Sequence, residues 1–412
     1  MTADDYTNTS FPLLTYAFYR SPVPAGRAGG QPTAPAYLTG NRTLVTEEDG
    51  ETLATASAIP MRQNLHGTVR PTAGVAGVTT HPLARRRGLV RTLFHQLLDE
   101  MRDEGHQLSA LYPFRPSFYA RFGYTGLPAP RTVTFSPANL GPLLRADLPG
   151  DVTWTRIGAG YPAYQEFLDR YLHHRHGFAV FPEYRAVRFR DDDDRWLATA
   201  RVDGQTVGTL TYRIDGHGGN LVGDELLTTD AYGRALLLQF LSRHVDQVAR
   251  ISVRVPPDEL PELWLTDLDV QIEAKAAGPD CAAPMARLLT LDALTGLPAG
   301  PGRVRIELTG DRWLAGEHLL DGGSGTLEVT PAKGPVLPVG GSGTPVGGSG
   351  TAGGGSSTPV ATLTAAGLSA LAYGVLDPVE VQLNGLGTVP VDAAGQLRRI
   401  FPRAHPYLCA DF

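Results

Sequence analysis

The sequence predicts a mixed α+β and α/β protein built in three parts, and three features carry that reading. A strand–turn–helix unit occurs twice, first around Val75–Glu104 and again around Thr228–Leu241. Between the two copies, Trp196–Val202 and Thr206–Tyr212 alternate apolar and polar residues and are joined at Asp203 and Gly204, a strong hairpin signal. From about Gly300 the texture changes to short strands and turns, with one helical stretch near Ala365–Tyr373. At 412 residues and 42% apolar content the chain exceeds what one ordinary core accommodates. The expected divisions are 1–145, 151–294 and 300–412.

The first division is the most informative. Val75 and Val78 suit a buried strand, and Pro82 ends it near Thr80 or His81 because proline cannot donate to a central ladder. Leu89, Leu93, Leu97 and Met101 then recur at helical spacing, and Gly105 is a good stop, so a helix is predicted from about Gly88 to Glu104. The segment Arg85–Gly88 therefore opens a helix. The free N–H groups of a first helical turn, together with the helix dipole, favour an anion. Gly88 permits close approach of a ligand to the backbone, and Arg85, Arg86 and Arg87 add donors suited to phosphate. The pattern is a pyrophosphate site in outline. It is neither a P-loop nor a dinucleotide fingerprint, since both glycine motifs are missing.

The second division opens with a helix-like segment near Tyr161–His174. The repeat it contains, Thr228–Thr229 followed by Ala235–Leu241, lacks the arginine turn. It is compatible with a duplicated fold that lost its cofactor site, and equally with two unrelated strand–helix units. In the third division the tract 334–359 is dominated by Gly, Ser, Thr and Pro and is expected to be a flexible surface loop.

Bulk properties exclude little but point one way. The net charge of −6 gives no sign of a nucleic-acid partner, which usually calls for a basic surplus. No apolar run reaches the length of a spanning helix, and the N-terminus carries acidic residues without a basic, then apolar, leader, so a cytoplasmic protein without a membrane partner is expected. Cys281 and Cys409 make no disulfide framework. His173, His174 and His176 lie close together, but no carboxylate or cysteine spacing supports a metal, and a solvated helix end is expected. Asp191–Asp194 reads as an exposed charged turn, and His81 as a turn cap.

The pattern Arg85–Gly88 after a strand resembles the acetyl-CoA motif of GNAT acetyltransferases. Downstream, Phe118, Tyr119, Arg121, Phe122, Gly123 and Tyr124 resemble a second GNAT signature, Tyr-x-Arg-Phe-Gly-Phe/Tyr. Together with Arg42–Thr46 and Met285–Leu289, these segments make nearly the whole chain similar to the enhanced-intracellular-survival (Eis-type) acetyltransferases. The resemblance implies tandem GNAT domains, the second degenerate, followed by a sterol-carrier-like α+β domain, assembled as a homohexamer. It implies acetyl-CoA as co-substrate, contacted at Val78, Thr79, Thr80, Arg85, Arg86, Arg87, Gly88 and Leu89. It also implies Tyr119 as general acid and the carboxylate of Phe412 as general base, with Asp411 and Phe412 helping to hold a cationic amine such as an aminoglycoside or a lysine side chain. The alternative is a non-catalytic scaffold that binds an apolar ligand or partner through its C-terminal domain. The sequence departs from the family at Phe114, where the best-known members have serine, and at Asn41, where an aromatic is expected. Tyr124 is expected to serve packing.

Overall fold

Among the described residues three sheets organise the molecule, and neither of the first two is a contiguous stretch of chain. The computed structural model describes residues 3–19, 35–276, 283–332 and 358–410. The first sheet runs Arg42–Glu48, Glu51–Leu65, Thr68–Thr80, Leu108–Leu111, Met285–Leu288 and Thr125–Gly126, with Ala179–Val180 added on the far end of Glu51–Leu65. The second runs Val270–Glu273, Arg131–Phe135, Arg250–Val255, Asn220–Thr228, Gln205–Ile214, Trp196–Val202 and Asp151–Arg156. Arg131–Phe135, early in the chain, thus lies in the second sheet, and Met285–Leu288, late in the chain, returns to the first. This exchange of strands ties the two units together.

Local sequence explains the key elements. Leu93, Phe94, Leu97, Leu98 and Met101 are buried on one stripe of the helix Leu89–Asp103, which crosses from Thr68–Thr80 to its parallel neighbour Leu108–Leu111. Gly105 follows it with φ +84°, a left-handed position open to glycine. The hairpin at Asp203 and Gly204 has φ of +51° and +77°, the primed turn its sequence predicts. The second-unit helix is longer than expected. It spans Ile157–His174 and passes through Pro162, and Asp193 accepts a hydrogen bond from the Gly158 N–H at its start (2.8 Å). Asp193 is therefore a helix-start ligand rather than part of a purely exposed turn.

The third sheet orders Glu328–Pro331, Gly316–Asp321, Arg303–Thr309, Val360–Thr364 and Gly387–Thr388. Its helix Ala365–Ala372 is buried at every residue. Small residues let it lie between the third sheet and the first, where Leu368, Leu371 and Tyr373 share one core with Ile59, Leu108 and Leu288. Residues 333–357, which include most of the predicted loop, lie outside the described residues. Among the described residues no helix is long and apolar enough to cross a membrane.

Candidate functional site

The strand Thr68–Thr80 carries the first half of the site. It pairs with Leu108–Leu111 only from Thr72 to Val75, so the backbone from Ala76 to Thr80 leaves that neighbour and opens a cleft between parallel strands. A bulge against Glu51–Leu65 falls at the same place. Ser57 pairs with Ala76 and Thr55 with Thr79, leaving Gly77 and Val78 opposite Ala56. Gly77 adopts φ +59°, and the Thr55 hydroxyl donates to its carbonyl (2.7 Å). On the edge away from Glu51–Leu65 the splayed segment thus has no strand partner among the described residues, a geometry that can hold an extended amide chain.

The turn after this strand carries the second half. His81 caps it, its ring nitrogen accepting from the Leu83 N–H (3.3 Å). Gly88 starts the helix with φ +84°, and no side chain caps that helix start. First-turn N–H groups are therefore available to an anion. Arg86 also has positive φ, +66°, which costs a non-glycine residue free energy and tightens the turn. The three arginines part company. Arg87 makes a two-pronged bond to Glu48 (2.8 and 3.2 Å), whereas Arg85 and Arg86 form no ion pair with a described residue. Thr79 turns its hydroxyl inward to Thr55 (2.7 Å), which leaves its main chain as the part facing the cleft. A phosphate-bearing chain fits this donor set.

Strand and turn open on one cavity of about 1540 Å³, lined by Val78, Thr79, Thr80, Arg85–Leu89 and also by Tyr119. The helix Pro116–Ala120 places Tyr119, only 2% exposed, among Phe94, Phe118 and Tyr124. Burial pushes its phenol well above the ordinary tyrosine range, so it stays protonated across neutral pH. Its hydroxyl makes no hydrogen bond to a described residue. Tyr124 is a packing residue whose hydroxyl bonds Ser109 (2.6 Å). Phe114, 66% exposed, stands beside Tyr119 on the cavity wall with ring centroids 5.4 Å apart.

The opposite wall was not read from sequence. Tyr164, Asp224, Glu225 and Arg254 come from the second unit. Arg195 bonds Asp224 (2.6 Å) and Arg254 bonds Glu225 (2.8 Å), so this wall alternates paired charges. The one available signal was the repeat: Asp224 and Glu225 lie on the second copy's strand, Asn220–Thr228. Cys409 and Ala410 also line the cavity, and burial with the nearby Glu225 carboxylate raises the Cys409 thiol. The predicted Asp411 and Phe412 lie outside the described residues.

The second copy closes the position that the first leaves open. Asp230 caps the helix Ala231–Ser242, its carboxylate accepting from the Gly233 N–H (2.8 Å). A carboxylate on those donors repels a phosphate. The predicted solvated histidine cluster is corrected at His176, which is withdrawn from the helix end and stacks on His66 at 4.1 Å. Among the described residues no group of His, Cys, Asp and Glu is placed to hold a metal ion.

Comparison with known proteins agrees with this geometry. Residues 1–126 match a family described as an acetyltransferase (GNAT) domain, and residues 179–288 match a second family of the same description. An uncharacterized N-acetyltransferase of Streptomyces coelicolor is 28% identical over 250 residues, which are 54% of this chain and 59% of the relative. The match thus spans less than two thirds of that relative's length. The N-acetyltransferase Eis of Mycobacterium tuberculosis is 34% identical over 102 residues, 22% of this chain and 25% of that protein. Two solved structures resemble the fold throughout. A probable N-acyltransferase from Enterococcus faecalis superposes with TM-score 0.78 at 18% identity, covering 100% of this chain and 98% of that one. Eis1 from Mycobacterium abscessus gives 0.74 at 17%, again covering 100% and 98%. At such identity the likeness is one of fold.

Proposed function

We propose that this chain, an Eis-like protein with two GNAT acetyltransferase domains, transfers the acetyl group of acetyl-CoA to a primary amine of a cationic acceptor. The observation that carries the reading is the meeting of an uncapped helix start, a splayed strand and a protonated buried tyrosine in one cavity. The helix start with Arg85 and Arg86 takes the pyrophosphate, and the edge from Ala76 to Thr80 takes the extended amide arm. Attack of a neutral amine on the thioester carbonyl forms the C–N bond. Collapse then breaks C–S, and the departing thiolate takes its proton from the Tyr119 hydroxyl. An amine proton must leave as well. The family resemblance assigns that task to the Phe412 carboxylate, and the position of Cys409 and Ala410 on the cavity wall supports it.

A cationic acceptor is supported by Glu183 and Glu273 on the cavity wall, neither in an ion pair with a described residue, and by the net charge of −6. An aminoglycoside-like molecule and a lysine side chain both meet this description. The Asp230 cap supports a second GNAT unit without cofactor. A sterol-carrier-like third domain, a homohexamer and a cytoplasmic setting follow from the resemblance alone; the whole-chain likeness to Eis1 is one of fold.

The test measures CoA release from acetyl-CoA with kanamycin and, separately, with lysine-containing peptides. Turnover with either supports amine acetylation and selects the acceptor class. Acetyl-CoA binding without turnover of any amine refutes the enzymatic reading in favour of a scaffold. Residues appended after Phe412 should abolish turnover and spare acetyl-CoA binding; full activity in the extended protein removes Phe412 as the base.

A further inference from the structure

The third domain grips both halves of the proposed catalytic unit through a run of three residues, Asp311, Arg312 and Trp313. Arg287, on the first-sheet strand Met285–Leu288, is fully buried, and its guanidinium bonds the Asp311 carboxylate (3.0 Å). The same guanidinium donates to the Phe122 carbonyl and to the Leu288 carbonyl (2.9 Å), and lies 5.2 Å from the Trp313 ring centre. The Phe122 N–H in turn donates to the Tyr119 carbonyl (2.9 Å). Gly123, with φ +82°, leaves the space this requires: a Cβ there would stand 3.2 Å from Arg287 Nη1 and 2.9 Å from Ala365. An unbroken path therefore runs from Asp311 to the residue that presents the acid.

The second grip falls on the helix that begins at Gly88. Asp99, on that helix, accepts from Trp313 Nε1 (2.6 Å) and from Arg312 (2.7 and 3.0 Å). Asp311 also fixes its own turn, accepting from the Trp313 and Leu314 N–H groups (3.0 Å each). The cofactor helix and the acid turn are thus held against one short rigid segment from a different domain.

The geometry points to Asp311, Arg287 and Trp313 as positioning residues that set Tyr119 relative to the cofactor helix, making the third domain a required part of the transferase. The inference rests on the acid role given to Tyr119 above. Thioester cleavage needs the phenol near the leaving sulfur, and misplacement on the order of 1 Å costs up to about 100-fold in rate. A buried charge pair is well suited to this task. It adds little net stability but admits one geometry, because either charge alone is heavily penalised.

Arg287→Met combined with Asp311→Asn removes both charges at once and keeps the caps on Trp313 and Leu314. Amide hydrogen exchange of residues 116–124 is compared in this variant and the parent, alongside kcat and KM with acetyl-CoA and kanamycin. Expected are faster exchange at 116–124 with the second sheet unchanged, kcat lowered at least about tenfold, and acetyl-CoA affinity within about threefold. In a Tyr119→Phe background the same pair of changes should lower kcat no further, since both act on one step. Asp99→Ala, at a partly exposed site, breaks the other grip; if the buried double variant does not fold, exchange of residues 89–103 and kcat in this variant are the readouts, and no change in either overturns the inference. Unchanged exchange at 116–124 overturns the inference whatever Tyr119 does. Faster exchange in an enzyme whose Tyr119→Phe form retains full kcat overturns the acid assignment instead, and with it the catalytic purpose of the grip.

Discussion

The imidazole rings of His66 and His176 stack 4.1 Å apart, and His176 accepts a hydrogen bond from the His66 N–H (3.1 Å) on one ring nitrogen while the other meets the Tyr373 carbonyl (3.1 Å). His66 meets the Ala372 carbonyl (2.7 Å), so the pair joins all three domains at one point. Burial, then the neighbouring His66, depresses His176 to about 3, and burial also lowers His66. Both rings are therefore neutral in the folded state while the unfolded chain takes up protons below about pH 6.5. The pair's contribution is complete above that pH and is lost as pH falls toward 3, on the order of 3–5 kcal/mol. Thermal unfolding followed from pH 7 to 4 should show a steep acid limb that His176→Gln flattens. Parallel limbs in the two proteins would mean that the stacked pair does not govern acid stability.

Gly88 and Arg86 should matter to cofactor binding more than to folding. Gly88→Glu places a strained φ and a negative charge on the anion cradle, costing roughly 1–3 kcal/mol in the fold. Its larger expected effect is loss of the rise in melting temperature on adding acetyl-CoA, and Arg86→Ala should reduce the same rise. Stabilisation equal to that of the parent in both variants would place the cofactor elsewhere.

One acetyl-CoA should bind per chain. Asp230 occupies the helix start in the second unit, so titration calorimetry is expected to give a stoichiometry near one. Asp230→Ala should cost about 1 kcal/mol of stability through the lost cap and leave that stoichiometry unchanged. A stoichiometry of two in the parent protein contradicts the reading of the second unit.

Tyr119→Phe should lower kcat by about 100-fold or more and leave acetyl-CoA affinity nearly constant, the usual scale for a lost general acid. Because burial raises the phenol, its ionisation should not appear as an alkaline decline in kcat below about pH 10. A tyrosine-dependent decline near pH 8 is the outcome inconsistent with this environment.

The first strand–turn–helix unit was legible because its chemistry is local. Pro82, Gly88 and Gly105 mark its boundaries, and Leu93, Leu97 and Met101 mark its buried face. The capping role of His81 was also legible in its position after the strand, and the family resemblance singled out Tyr119, which lines the cavity. The far wall of the cavity was not legible in sequence spacing, and the expected loop at 334–359 lies mostly outside the described residues. Asp224, Glu225 and Arg254 carry no motif, and they line the same cavity as Tyr119 from the second sheet.

By itself, then, the sequence determined the strand–turn–helix unit around Gly88, the nearby motif that contains Tyr119 and the family resemblance, since each depends on residues a few positions apart. Tertiary structure alone decided that Arg131–Phe135 and Met285–Leu288 would change sheets, that His176 would leave solvent for His66, and that Arg287 would bond both Asp311 and the Phe122 carbonyl. Those outcomes come from burying shared apolar surface and pairing buried charges between distant segments, and such pairings leave no period or motif along the chain.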